Sequence, residues 1–326
     1  MMTPMNRRSA LKALSLGALA ASVNPRLSAS PESREGTRFA NSAIYRFRIG
    51  NHDAFAIQCG SLTIKPEWPS FATEPSADEF AAAVRETIPT GTLRMPFNVL
   101  LLDWNGTYVL IDSGEPGHAG APPPVVALLG ELGIAPDRIA HVVLTHAHFD
   151  HLGGLVDGAE RPVFPKARHH AFKAEADFWT APHPDVSKVR LDTTDMIRVA
   201  RRVFARIAFE FPNPGAEIVP GITAFSSPGH TPGHMTLRLT SGPSTLYHIS
   251  DLCHHARLLL EHASWSIASD VDPVLAVKTR KEIFRNLSET RERIFGFHMP
   301  FPGLGYLAKS ATGFRWLPED WIPDNA

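Results

Sequence analysis

The chain has 326 residues, 44% of them hydrophobic and 20% charged, with Lys+Arg 32 against Asp+Glu 33. Such a balance excludes a disordered, collagen-like or coiled-coil chain, and the length suffices for one large domain or two small ones. Sixteen His against two Cys exclude a disulfide scaffold and a Cys-ligated zinc module, leaving imidazole as the ligand of any bound metal.

Residues 1–30 read as a segment outside the fold. Arg7 and Arg8 precede a mostly small and apolar run from Ala13 to Val23, a pattern similar to a twin-arginine export signal. The run is too short to anchor in a bilayer and is diluted by Ser15, Gly17 and Ser22. The expectation is cleavage and a periplasmic or secreted protein, with the twin-arginine export machinery as a transient partner and no stable membrane anchor. The segment contains Arg7, Arg8, Lys12 and Arg26 and no acid, so residues 31–326 carry a net charge of about −5. That acidity, with no basic run elsewhere, excludes nucleic acid as a partner. A homodimer stays open.

After a polar lead-in from Pro31 to Ala40, Ile44 to Ile49 and Ala54 to Cys59 read as strands. Ser76, followed by Asp78 and Glu79, opens a helix running to Thr87. Phe97 to Leu102 and Tyr108 to Ile111 read as strands of a hairpin turned by Asn105 and Gly106, broken afterwards by Asp112, Ser113 and Gly114. Val125 to Leu132 reads as a helix ending at Gly133, and His141 to Leu144 as a short buried strand. Further helices are expected at Ala171 to Thr180, Val186 to Phe209 and Pro273 to Arg293. Further strands are expected at Ile222 to Phe225, Met235 to Leu239, Ser244 to Ile249 and Ile294 to Phe297. Helices and strands interleave, with hairpins in both halves, so two sheets sandwiched between helices fit better than a doubly wound parallel sheet.

The strand at His141 to Leu144 feeds the densest polar cluster of the chain, THAHFDHLGG from Thr145 to Gly154. His146 and His148 lie two apart, so in extended backbone both imidazoles reach one cation. Asp150 and His151 follow at a turn and can face a second cation beside the first, next to a Gly pair that lets the backbone pass close by.

In this motif the sequence resembles the metallo-β-lactamase-fold hydrolases, and the likeness continues through His230 in SPGHTPGH, Asp251 in HISDL and His298 in FGFHMPFPG. The resemblance implies an α+β fold, an αββα sandwich over residues 31–326. It also implies two divalent ions, zinc by default with Mn, Fe or Co acceptable to the same ligands. His146, His148 and His230 would hold one ion and Asp150, His151 and His298 the other, with Asp251 bridging and Asp112 of IDSG supporting the ligands from behind. His148, where the di-iron redox branch has Glu, and Asp251, which many zinc β-lactamases lack, separate the chain from those branches. A di-iron redox protein and a zinc β-lactamase are the alternative readings. The stretch EADFW at Glu175 to Trp179, the GHTPGH loop, and Phe301, Pro302, Gly303 and Gly305 resemble the methyl parathion hydrolase and lactonase group.

That group implies hydrolysis of a small lactone or ester, with phosphotriesters as a further substrate class, by water ionised between the two cations. Asp251 and Asp150 would serve the chemistry, Asp251 by returning a proton to the leaving alkoxide. Trp179 is the first candidate for an apolar substrate wall, with Phe149 and Phe301 behind it. His234 is expected to fix the GHTPGH turn by a hydrogen bond, and one of His254 and His255 to line the pocket. Cys59 and Cys253 read as two buried free thiols, although an export compartment would permit a disulfide between them.

Overall fold

The computed structural model describes residues 42–117 and 121–322. The export-signal reading of residues 1–30 therefore lies outside the described residues. Within them, no helix is long and apolar enough to cross a membrane.

The first sheet runs β1 (Ile44–Ile49), β2 (His52–Ile64), β3 (Leu93–Trp104), β4 (Thr107–Ile111), β5 (Ile139–Val143), β6 (Arg168–His170) and β7 (Phe209–Glu210), in that spatial order. Its first four strands pair antiparallel and the rest parallel. The β3–β4 hairpin turns at Asn105 and Gly106, whose φ values of 54° and 75° are those of the primed turn that matches strand twist.

The second sheet runs, from one edge to the other, β14 (Phe314–Pro318), β13 (Leu304–Lys309), β12 (Ile294–Phe295), β11 (Ser244–His248), β10 (Met235–Ser241), β9 (Ile222–Ser226) and β8 (Glu217–Val219). Only β11 and β12 pair parallel there.

Period-two alternation on β3 explains the layering. Leu100 and Leu102 point into a core shared with Leu237, Leu239 and Leu246 of the other sheet, while Val99 and Leu101 point the opposite way. That opposite face is covered by α2 (Pro124–Glu131) through Val125 and Leu129, and by α5 (Thr194–Arg206) through Ala200 and Val203. The outer face of the second sheet is covered by α1 (Ala77–Thr87) through Phe80 and Ala83, and by α7 (Pro273–Thr290) through Phe284 and Leu287. The result is the αββα sandwich read from the sequence.

Helix starts follow their caps. Glu79 N–H donates to Ser76 Oγ at 3.3 Å and Ser76 N–H to Glu79 Oε2 at 2.7 Å, the reciprocal box that the spacing predicts. The helix expected over Val186 to Phe209 is shorter. Asp185 and Asp192 close local turns onto Ser187 N–H and Thr194 N–H, and Arg190 N–H donates to Ala268 O at 2.8 Å. These bonds hold residues 186–193 out of helix, and Phe209 leaves it at the other end to pair with His169 in β7. The short strands β6, β7 and β8, of two or three residues, carry too few for a period to show in sequence, whereas β13 and β14 are long enough and are absent from the strands expected from the sequence.

A candidate dinuclear metal centre

Four strand ends converge at one rim of the sandwich. β5 ends at Val143 and delivers Thr145 and His146; the one-turn helix α3 (Phe149–Leu152), with His148 at its N-cap, carries Asp150 and His151. The turn between β9 and β10 carries His230. β11 leads into a short 3-10 turn at Ser250–Leu252 that contains Asp251, and β12 leads to His298.

All seven side chains are buried and meet. His146, His148, His230 and Asp251 form one set able to enclose an ion, and Asp150, His151 and His298 a second. Asp251 lies between them. Its Oδ2 is 3.5 Å from both His146 Nε2 and His230 Nε2 and 3.2 Å from His298 Nε2, while its Oδ1 is 3.2 Å from His151 Nε2. Asp150 Oδ2 stands 3.4 Å from His298 Nε2 and 3.7 Å from His151 Nε2.

A surrounding layer of acceptors aims the imidazoles. His151 Nδ1–H donates to Asp112 Oδ2 at 2.8 Å, His230 Nδ1–H to Asp270 Oδ1 at 2.8 Å, and His298 Nδ1–H to Pro96 O at 2.9 Å. Each bond fixes the ring and turns Nε2 toward the cluster. Asp112 also accepts from Thr145 N–H and Thr145 Oγ1, both at 2.8 Å. Asp112 and Ser250 hold left-handed backbone, φ 61° and 47°, a strain of about 1 to 3 kcal/mol each that clusters at working sites.

Glu175 ties the two ligand loops together. It accepts from Ala147 N–H and Trp179 Nε1–H at 2.7 Å through Oε1, and from Thr231 Oγ1 at 2.7 Å and Gly233 N–H at 2.9 Å through Oε2. A side chain at Gly233 would place its Cβ 2.2 Å from Glu175 N, so only glycine lets the GHTPGH turn approach the helix Lys173–Thr180 that carries Glu175. His234 accepts from Asp251 N–H at 3.1 Å through Nε2, which leaves Nδ1–H to face Ser227 O at 3.0 Å. It pins the turn, and the Asp251 backbone with it.

The electrostatics alternate around the cluster. Burial, then the neighbouring His151, hold His146 well below its ordinary value, and burial with His230 does the same for His148. Burial works against charge on His151 too, but Asp251, Asp112 and Asp150 outweigh it and raise the group well above 6.5. His230 is likewise raised against burial, to about 9, by Asp251 and Asp270. Asp251 is held well below the usual carboxylate range, because His151 and His298 overcome its burial. Burial raises Asp150.

The donor set fits divalent cations. His148 Nε2, His151 Nε2, His230 Nε2 and Asp251 Oδ1 are buried with no hydrogen-bond partner among the described residues, whereas buried polar atoms are ordinarily paired. Their mixed imidazole and carboxylate chemistry suits zinc first, with Mn, Fe or Co accommodated.

Outside the seven, placements differ from the sequence reading. Trp179, expected as a substrate wall, is fully buried in the core beneath the first sheet. Its ring meets His148 edge-on at 5.7 Å, so packing claims the indole and it buttresses a ligand instead. Phe149 is 38% exposed beside Asp150 and is the aromatic open to solvent at this rim. Phe301 is half-buried against the core between the sheets. Of the two late histidines, His254 is buried with Nε2 3.0 Å from Asp251 Oδ2. Cys59 and Cys253 are buried free thiols. Asp270 was not singled out by sequence reasoning, because it meets His230 across 40 positions and its SIASDVD context has no ligand spacing.

Residues 95–280 match the model of the Metallo-beta-lactamase superfamily. A Mycobacterium tuberculosis protein named "Probable metallo-hydrolase" is 27% identical over 190 residues, 48% of this chain and 57% of that protein. The chain thus matches little more than half the length of that relative. An N-acyl homoserine lactonase of a Bacillus species is 24% identical over 189 residues, 51% of this chain and 68% of its own. Among solved structures, AidC, a dizinc quorum-quenching lactonase in complex with a product, superposes with a TM-score of 0.78 at 26% identity, covering 86% of this chain and 99% of that one.

Proposed function

The chain belongs to the metallo-beta-lactamase superfamily, and from that premise we propose that this hydrolase binds two divalent ions, zinc by preference, and opens a small lactone or ester. The observation that carries the proposal is the position of Asp251, within 3.5 Å of ligand nitrogens from both sets. The lactonase relatives support a lactone as substrate. We read residues 1–30 as an export signal, which would place the enzyme in the periplasm or outside the cell.

A pair of cations held there would supply a water nucleophile at neutral pH and an electrophilic contact for the substrate carbonyl. The protein's own contribution is positional. Asp112, Asp270 and the Pro96 carbonyl hold three imidazoles in one tautomer, and Asp251, ionised at neutral pH, takes the proton released on attack and returns it to the leaving alkoxide. His254 Nε2 faces Asp251 Oδ2 at 3.0 Å and its ring stacks on His298 at 4.9 Å, so it holds that carboxylate in place. Phe149 offers the apolar contact for an acyl chain.

The test is turnover of acyl-homoserine lactones, aryl lactones, aryl esters, a paraoxon-like triester and nitrocefin by enzyme of measured metal content. Ring-opened product is expected from a lactone, lost on exhaustive chelation and restored by two equivalents of zinc. Equal turnover after complete metal removal would sink the proposal, and nitrocefin turnover alone would move it to a β-lactamase.

A further inference from the structure

β11 and β12 run parallel, so the ends that deliver Asp251 and His298 share one rim and their beginnings share the other. The strand β11, Ser244–His248, puts five extended residues, about 13 Å or more of chain, between that far rim and the turn that carries Asp251. At that far rim a cavity of about 410 Å³ opens between β1, the β10–β11 hairpin and the end of α7, within the size range of small-molecule sites.

Its wall is rich in donors and poor in acceptors. Arg48, Arg238, Arg291 and Arg293 line it together with Ser244 and Thr245, and Glu292 is the one acidic side chain in the lining. Glu292 is already used, accepting from Arg238 Nε at 2.7 Å. Arg293 is held rigid, since Glu319 takes its Nε and Nη2 at 2.6 and 2.7 Å and its Nη1 donates to Arg48 O at 2.8 Å. The Arg291 guanidinium makes no hydrogen bond or ion pair among the described residues, and neither do the Arg238 Nη nitrogens. This concentration stands on a protein whose residues 31–326 are net acidic, so it is not a sample of a generally basic surface.

We propose that this cavity is a binding site for a small phosphate-type dianion, separate from the metal centre. Guanidinium forks match tetrahedral oxyanions in pairs, and the two hydroxyls complete a shell of donors around one. Arg238 is braced by Glu292 and Arg293 by Glu319, and Arg48 donates to Asn51 O at 3.0 Å with its Nε 3.8 Å from Asp53 Oδ1, so three of the four cations are pre-positioned, while the exposed Arg291 closes on the ligand. The volume exceeds that of one phosphate, which leaves room for the body of a phosphate monoester.

The probes are inorganic phosphate and phenylphosphonate, a non-hydrolysable monoester mimic, titrated calorimetrically into the zinc-loaded protein. Wild type is expected to bind at least one of them; tighter phenylphosphonate would identify a monoester, and equal affinities free phosphate. R291Q, which removes a guanidinium without local bonds, is expected to weaken binding about tenfold, as the loss of one charge-assisted contact does. R238Q/R291Q is expected to abolish it with lactone turnover unchanged. Absence of heat with both probes would overturn the proposal. So would binding that persists in R238Q/R291Q, since it would locate the anion at the metal centre. A thermal melt of each variant separates loss of the site from loss of the fold, and R291Q alone decides if R238Q/R291Q unfolds.

Discussion

Asp270 Oδ1 stands 2.8 Å from His230 Nδ1, and both groups are buried. The carboxylate is itself held, by Ile267 N–H at 2.9 Å on its other oxygen, with the Arg280 guanidinium 3.9 Å away. Burial raises its pKa, yet His230 and Arg280 hold it below the usual carboxylate value, so it is an anion aimed at one imidazole. Asp270→Ala is expected to lower metal affinity about 10 to 100-fold, the usual cost of losing a partner behind a ligand. Asp270→Asn should recover part of it. Competition against a chromophoric chelator measures both.

Asp251 touches both ligand sets, so its loss should empty both. Asp251→Ala is expected to reduce the metal content of the purified protein from two equivalents toward none, in parallel across a dilution series read by elemental analysis. A variant that retains one full equivalent would show that Asp251 does not bridge.

Glu175 satisfies four donors in a fully buried position. Removing the carboxylate strands those donors, at about 1 to 3 kcal/mol for each one left unpaired. Glu175→Ala is therefore expected to cost several kcal/mol in urea unfolding and Glu175→Gln less, because the amide oxygen still accepts. Equal stability of the three proteins would refute the account of how the two loops are joined.

His169 in β6 and His248 in β11 are buried, and burial lowers each from 6.5 to about 4, with Asp112 and Asp251 opposing the shift of His248 and His151 adding to it. A group that binds its proton more weakly when folded leaves the unfolded chain holding more protons between those values. Stability is then full above about pH 6.5 and falls as pH drops toward 4. The urea midpoint of the metal-free protein is expected to decline through that window, and His248→Gln or His169→Gln should flatten the decline.

His234 joins Ser227 to the Asp251 backbone through its two ring nitrogens. His234→Ala breaks that link without removing a ligand. The expected result is weakened metal retention with an unchanged fold by circular dichroism, and a His234→Asn variant, whose amide offers both an acceptor and a donor, should retain more metal than Ala.

Four of the seven candidate ligands were legible because spacing carries their chemistry. His146 and His148 two apart in extended chain, followed by a turn bearing Asp150 and His151, share a site by local geometry alone, and the primed turn at Asn105 and Gly106 reads from two letters. Trp179 was misplaced for the opposite reason. Nothing local distinguishes an indole that lines a cleft from one that fills a core, and here the core took it, leaving its N–H to Glu175 and its ring at right angles to His148. The helix expected from Val186 failed where Asp185 and Asp192 diverted backbone N–H groups into local turns.

By itself the sequence determined the layered class, the donor chemistry and the mutual placement of four of the seven candidate ligands, because hydrophobic period and residue spacing act over a few residues. Only the tertiary structure brought His230, Asp251 and His298 to that cluster, set Asp270, Asp112 and the Pro96 carbonyl behind the imidazoles, and gathered four arginines at the opposite rim. Those partners lie tens to hundreds of residues apart, and what joins them is the packing of two sheets face to face, a relation no local pattern encodes.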